Sequence, residues 1–219
     1  MLSAENLDVI RSEGGRILEL ARRDLDRVVP QYPNWTMADL LSHIGSILGR
    51  TTLICRELPS ERISGPRPSE GADVLDWYEA TLTEMLATLE DADPDTPVWG
   101  FWPGPCIGLW ERRMVVEAGL HRWDAEQAFG EPEPLLDLVA VSGLDEFTDL
   151  WVPRVDEWPA LEVRAVDLGR EWVLGTGAAE ATVSGTASDL YLRLMSRASA
   201  VELPERWATL VDALEPPPR

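Results

Sequence analysis

The chain has 219 residues, 45% of them hydrophobic, and a formal net charge of −20. That length suits one large domain or two small ones, and the apolar fraction is enough to build a core. The charge argues against nucleic acid, whose phosphates need clustered cations, and against anionic membrane surfaces; it serves solubility.

All 19 basic residues are arginine. Without lysine there is no Schiff-base amine and no phosphate-loop lysine. The two cysteines, Cys55 and Cys106, have no metal-type spacing and do not form a secreted disulfide pattern. The first residues carry acids and no apolar run, so no signal peptide is expected. No stretch approaches the ~18 apolar residues of a membrane span. A cytoplasmic protein is expected, as a monomer or homodimer.

In chain order, residues 3–28 read as a helix with Leu7, Ile10, Ile17, Leu18, Leu20 and Leu25 on one stripe, weakened in the middle by Gly14–Gly15. Residues 30–34, rich in proline and polar groups, read as a loop. Thr36-Met37-Ala38-Asp39 resembles a capping box, with Asp for Glu, and opens a second helix reaching about Cys55. A polar loop covers 58–71. A third helix spans about 72–91, and the Pro-broken segment 92–107 carries Trp99, Phe101 and Trp102. A fourth helix spans about 108–129 and stops at Gly130. A fifth spans 135–151.

Beyond a linker at 153–159 the pattern changes. Residues 161–167 alternate as a strand and pair with 171–174 across 167–170. A third short strand falls at 181–185, helices at 187–196 and 205–214, and a Pro-rich tail follows. The expected class is α+β: a four-helix bundle with a linking helix over 1–152, then a small α+β domain over 153–219.

The chain's two histidines are His43, on the second helix, and His121, on the fourth. Residues four apart share a helix face, so Glu117 points with His121, and Asp124 lies close behind. If the two helices are neighbours, His43, Glu117 and His121 meet as three ligands with one coordination position left open, as catalytic zinc requires. Asp124 is placed to accept a hydrogen bond from a ligating imidazole. The plainer reading is a structural histidine and, for Arg113 and Glu117, a surface ion pair at i, i+4. The tryptophans read mainly as core, with Trp99, Phe101, Trp102 and Trp123 as pocket-lining candidates. No Gly-x-Ser-x-Gly elbow or glycine-rich phosphate loop is present.

Trp35-Thr36-x-x-Asp39-Leu40-x-x-His43, followed by Arg113-x-x-x-Glu117-x-x-x-His121-Arg122-Trp123-Asp124-Ala125, resembles the mycothiol-dependent maleylpyruvate isomerase family of the DinB-like metalloenzyme superfamily. The likeness extends to residues 187–197. It implies a DinB-like bundle in which His43, Glu117 and His121 hold zinc or another divalent metal. It implies mycothiol as the thiol, with its sulfur in the open position, and Arg197 as a substrate-contacting arginine; the family's usual glycine before that arginine is Ser196 here. The aromatic loop 99–106 is unlike the common pattern.

A metal-held thiol becomes a thiolate at neutral pH. Adding it to an electron-poor double bond, rotating about the resulting single bond and expelling it gives cis–trans isomerisation; stopping after addition gives a mycothiol S-transferase. Arg197 and Arg113 are the candidate clamps for a dicarboxylate, and Trp99, Trp102 and Trp123 the candidate cofactor contacts. The partners expected are a small electrophile and a low-molecular-weight thiol. The alternative from another class is a non-catalytic bundle that binds a metal or small ligand.

Overall fold

The computed structural model describes residues 3–214. The Pro-rich tail lies outside the described residues. By compactness the chain divides between Glu133 and Pro134.

The first unit holds four long helices: α1 (Ala4–Arg23), α2 (Met37–Glu57), α3 (Val74–Glu90) and α4 (Ile107–Phe129). α1 packs on α3 and α4, and α2 packs on the same two helices. α1 presents Leu7, Ile10, Ile17, Leu18 and Leu20 to the core, as its periodicity predicts. The glycine pair does not break it. A Cβ on Gly14 would come within 2.9 Å of Leu82, and the Tyr78 hydroxyl donates to the Gly14 carbonyl at 3.2 Å. Gly14 therefore lets α3 approach.

α4 has little amphipathic character because nearly every position from Met114 to Glu126 is buried. Its polar residues must therefore find partners inside the protein.

The helix expected over 3–28 ends at Arg23, so Leu25 falls outside it, and residues 28–36, of which 30–34 are expected as a loop, form a small hairpin. β1 (Val28–Val29) pairs antiparallel with β2 (Tyr32–Thr36), with an irregularity in register. The Met37 and Ala38 amides donate to the Arg27 and Leu25 carbonyls at 2.9 and 3.0 Å. Local composition reads Pro-Asn as a turn; pairing with β1 makes it a strand. The capping box is present: Thr36 Oγ1 accepts from the Asp39 amide at 3.3 Å, and Asp39 Oδ2 accepts from the Thr36 amide at 2.9 Å. That fixes where α2 starts, and so which way His43 points.

The second unit opens with α5 (Asp137–Glu146), which continues as a π-helical turn over Phe147–Trp151 and a 3-10 turn over Val152–Arg154. The sequence reading runs one regular helix over 135–151 and groups it with the bundle up to 152. In the structure α5 packs on α6, with Gly143 directly beneath the Tyr191 ring, where a Cβ would sit 2.5 Å from it. The division at Glu133–Pro134 follows from that packing.

The sheet has the order β4-β3-β5. β3 (Pro159–Ala165) pairs antiparallel with β4 (Arg170–Leu174) as expected, with Val163 opposite Trp172. β5 (Thr176–Gly185) starts earlier than its apolar residues suggest and runs parallel to β3 on the other edge, with Val163 opposite Val183. Gly175 and Gly177, at φ 94° and 95°, make the reversal. α6 (Ala187–Leu194) is capped by Thr186, whose Oγ1 accepts from the Asp189 amide at 3.1 Å. α7 (Glu205–Asp212) docks through Trp207, whose Nε1 donates to the Pro159 carbonyl at 2.9 Å. The class is α+β, as the sequence indicates.

Candidate metal centre

His43 lies two turns into α2, and Glu117 and His121 lie one turn apart on α4. Each offers one ligand atom, and the three atoms lie within 4.8 Å of one another. The two imidazoles meet edge to face, with ring centres 5.2 Å apart. His121 and Glu117 are buried, and His43 is half-buried. The three residues singled out from spacing are thus brought together.

His121 is gripped from both sides. Its Nδ1 donates to Asp124 Oδ2 at 2.9 Å, and its Nε2 faces Glu117 Oε2 at 3.2 Å. An ionised carboxylate only accepts, so Asp124 fixes a proton on Nδ1, and in the neutral ring Nε2 keeps the lone pair that a cation needs. Burial pushes the His121 imidazole down, but the hydrogen bonds and charges of Asp124 and Glu117 outweigh it and hold it above its ordinary value.

Glu117 is also paired with Arg113, whose Nη2 donates to Glu117 Oε1. Burial alone would raise the Glu117 carboxyl. Arg113, the hydrogen bond from His121 and the charges of His121 and His43 overcome it and hold the carboxyl well below the usual range. The i, i+4 pair is therefore an interior one, which keeps Glu117 ionised and leaves Oε2 toward the histidines. A set of two imidazole nitrogens and one carboxylate oxygen, with one imidazole oriented by a second carboxylate, fits zinc.

The hairpin covers this group. Tyr32 stacks on Trp35 at 4.5 Å, Trp35 lies 4.9 Å from the His43 ring, and Tyr32 lies 6.3 Å from that of His121. Sequence reasoning missed Tyr32 because turn composition hid the strand.

Trp102 and Trp123 are buried, at 5% and 6% exposure, and Trp99 is half-buried. Trp99, Phe101 and Trp102 cluster around Trp110, with ring centres 5.7–5.9 Å from it. The loop closes on itself through the Val98 amide, which donates to the Pro105 carbonyl at 3.1 Å. Arg197, in the second unit, is buried and donates from Nη1 to the Met195 carbonyl at 2.8 Å. The preceding Ser196 has φ 56°, the left-handed conformation that glycine adopts without strain. Arg122, next to the candidate ligand His121, is structural. It donates to Glu13 Oε2 at 2.9 Å, Glu126 Oε2 at 2.6 Å and the Glu133 carbonyl at 2.8 Å. Burial pushes the Cys55 thiol up to about 12, which leaves it inert as a nucleophile at neutral pH.

A helical bundle with a His, Glu, His cluster in its core, followed by a small α+β unit, defines a candidate metal-site protein. The chain belongs to the mycothiol maleylpyruvate isomerase N-terminal domain family, whose sequence profile matches residues 10–126. Two solved structures share its fold: crystal structures of the mycothiol-dependent maleylpyruvate isomerase, at 12% identity, and of its histidine-to-alanine mutant, at 13%. Each match covers 92% of this chain and 94% of the other, with a TM-score of 0.71. No curated protein sequence matches significantly. Among the described residues, no helix is long and apolar enough to cross a membrane.

Proposed function

We propose that this protein is a metal-dependent, mycothiol-using enzyme that acts on a small electrophile by thiolate addition, in the manner of maleylpyruvate cis–trans isomerisation. The observation that carries the reading is the convergence of three ligand atoms, from His43, Glu117 and His121, within 4.8 Å. Family membership supports the choice of thiol. His43, Glu117 and His121 would hold a divalent cation, zinc by ligand type, which when bound would supply the Lewis acidity that lowers a thiol's pKa.

The chain's own residues do the rest. Asp124 holds the proton on His121 Nδ1 and so aims Nε2. Arg113 keeps Glu117 ionised and fixed. Tyr32 and Trp35 form an aromatic cover beside the histidines, which excludes water from a reacting thiolate. Arg197 is the proposed arginine of the second unit for a substrate carboxylate, and Trp99, Trp102 and Trp123 are the proposed aromatic contacts. We place the protein in the cytoplasm, where a thiol cofactor stays reduced. Ending the reaction after addition would make the same site a mycothiol S-transferase.

Metal analysis of the purified protein and of His43→Ala tests the site. The expected result is about one equivalent of metal in the wild type and loss in the variant; undiminished metal in the variant discards the site. Incubation of the metal-loaded protein with mycothiol and an activated alkene then tests catalysis. Turnover that needs the thiol supports the enzyme, isomerised alkene indicates an isomerase, and a stable thioether indicates a transferase. No thiol-dependent reaction with bound metal present favours a binding module.

A further inference from the structure

α2 and α4 run antiparallel through the site. His43 meets His121, and eight residues further along α2 Thr51 Oγ1 contacts Met114 Sδ, seven residues earlier on α4, at 3.3 Å. Arg50 lies two turns beyond His43, on the same face and about 10 Å along the helix axis. That level of α4 holds Arg113 and Trp110.

Arg50 is only 8% exposed, and its Nε has no hydrogen-bond partner. It meets rings: its guanidinium carbon lies 5.9 Å from the Phe101 centroid and 5.7 Å from that of Trp110. Those rings offset part of the cost of burying a cation and hold the fork in place, but they offer its N–H groups no oxygen. Burial is the largest influence and opposes the cation; the charge of Glu117 favours it, those of Arg113 and Arg62 oppose it, and the guanidinium is held below its ordinary value.

Trp102 repeats the pattern. Its indole is 5% exposed and Nε1 has no hydrogen-bond partner. Its ring lies 6.0 Å from Phe101 and 5.8 Å from Trp110, the two rings that Arg50 rests on. Buried donors nearly always have acceptors. Here two donors without them rest against one pair of rings, on the level of α4 that lies about two turns from the candidate metal centre, and an oxygen anion is the group that would satisfy both.

We propose that Arg50 and Trp102 form a carboxylate subsite, and that the carboxylate belongs to the electrophile. The assignment to the electrophile rests on the proposed function; the subsite does not. Under the proposed function, His43, Glu117 and His121 would hold the cation that activates the thiol, and the double bond under attack would lie beside them. An acid group several bonds away then reaches Arg50, whose planar fork suits a carboxylate. The subsite supplies orientation and selects charged over neutral electrophiles.

The test is calorimetric titration with maleate and with its uncharged dimethyl ester, on zinc-loaded and on chelator-treated protein. The wild type is expected to bind maleate at least about tenfold more tightly than the ester, with or without zinc. Arg50→Met is expected to lose about tenfold or more in maleate affinity while keeping its zinc content and ester affinity. Trp102→Phe, which removes only the N–H, is expected to lose about threefold to tenfold. Equal maleate affinity in wild type and Arg50→Met overturns the proposal, as does a wild type that binds no maleate in either form. If Arg50→Met does not fold, Arg50→Lys takes its place, because it keeps the charge without the fork; affinities equal to wild type in Arg50→Lys and Trp102→Phe overturn the subsite. A wild type that takes up no zinc but still prefers maleate refutes the metal reading and supports the subsite.

Discussion

His121 donates its Nδ1 hydrogen to Asp124 Oδ2 at 2.9 Å, one turn further along α4, and Asp124 is fully buried. A hydrogen bond on one ring nitrogen decides which tautomer the other can use. Asp124→Asn keeps the shape and removes the charge. We expect zinc affinity to fall by about 10–100-fold with the ligand set unchanged, as measured by competition with a chromophoric chelator. Affinity equal to wild type would remove Asp124 from the site.

The same contact sets a pH dependence. His121 is held above its ordinary value. In metal-free protein its contribution to stability is fully present below the unfolded imidazole value and is lost as pH rises through the higher folded value. Zinc requires the neutral ring, so protons and metal compete. The rise in Tm produced by zinc should therefore grow between about pH 6 and about pH 8. Thermal melts with and without zinc across that range check this, and a zinc effect that shrank as pH rose would contradict it.

Arg113 and Glu117 form a buried pair. Removing one member of such a pair leaves an uncompensated charge, at a cost of about 3–5 kcal/mol. Arg113→Met should impose that loss on the metal-free protein. Zinc supplies positive charge to the same carboxylate, so the loaded variant should lose less. Denaturant unfolding with zinc or with chelator separates the two. Equal losses would mean that Glu117 does not face the cation.

Two helical glycines should respond oppositely to alanine. Nothing lies within 4 Å of a Cβ placed on Gly15, whereas one placed on Gly45 would fall 2.3 Å from the Trp77 ring. Gly15→Ala should stabilise by about 0.5–1 kcal/mol through helix propensity alone. Gly45→Ala should destabilise by roughly 1–2 kcal/mol, because overpacking exceeds that gain. Equilibrium unfolding of both variants decides the signs. Since Gly45 lies two residues from His43 on α2, zinc affinity in that variant also reports how rigidly α3 sets the site.

Much of the candidate site's geometry was legible from spacing. Glu117, His121 and Asp124 sit on one helix, where a period of 3.6 residues fixes which side chains share a face. The capping box at Thr36 and Asp39 fixed the start of α2 in the same local way. The hairpin at Tyr32 and Trp35 was not legible, because it forms by pairing with Val28 and Val29, at the end of the expected helix, and is tied down by bonds from Met37 and Ala38 back to Arg27 and Leu25. Nor could spacing tell a surface Arg113–Glu117 pair from a buried one, since α4 is enclosed on nearly every side by its neighbours.

The order of side chains along each helix was determined by the sequence alone, because helix geometry and capping act within a few residues. Only the tertiary structure decided that α2 and α4 lie side by side with His43 against His121, that α5 packs with the sheet unit, and that Arg50 and Trp102 share one pair of rings. Each of these depends on contacts between residues distant in the chain, whose packing no local pattern encodes.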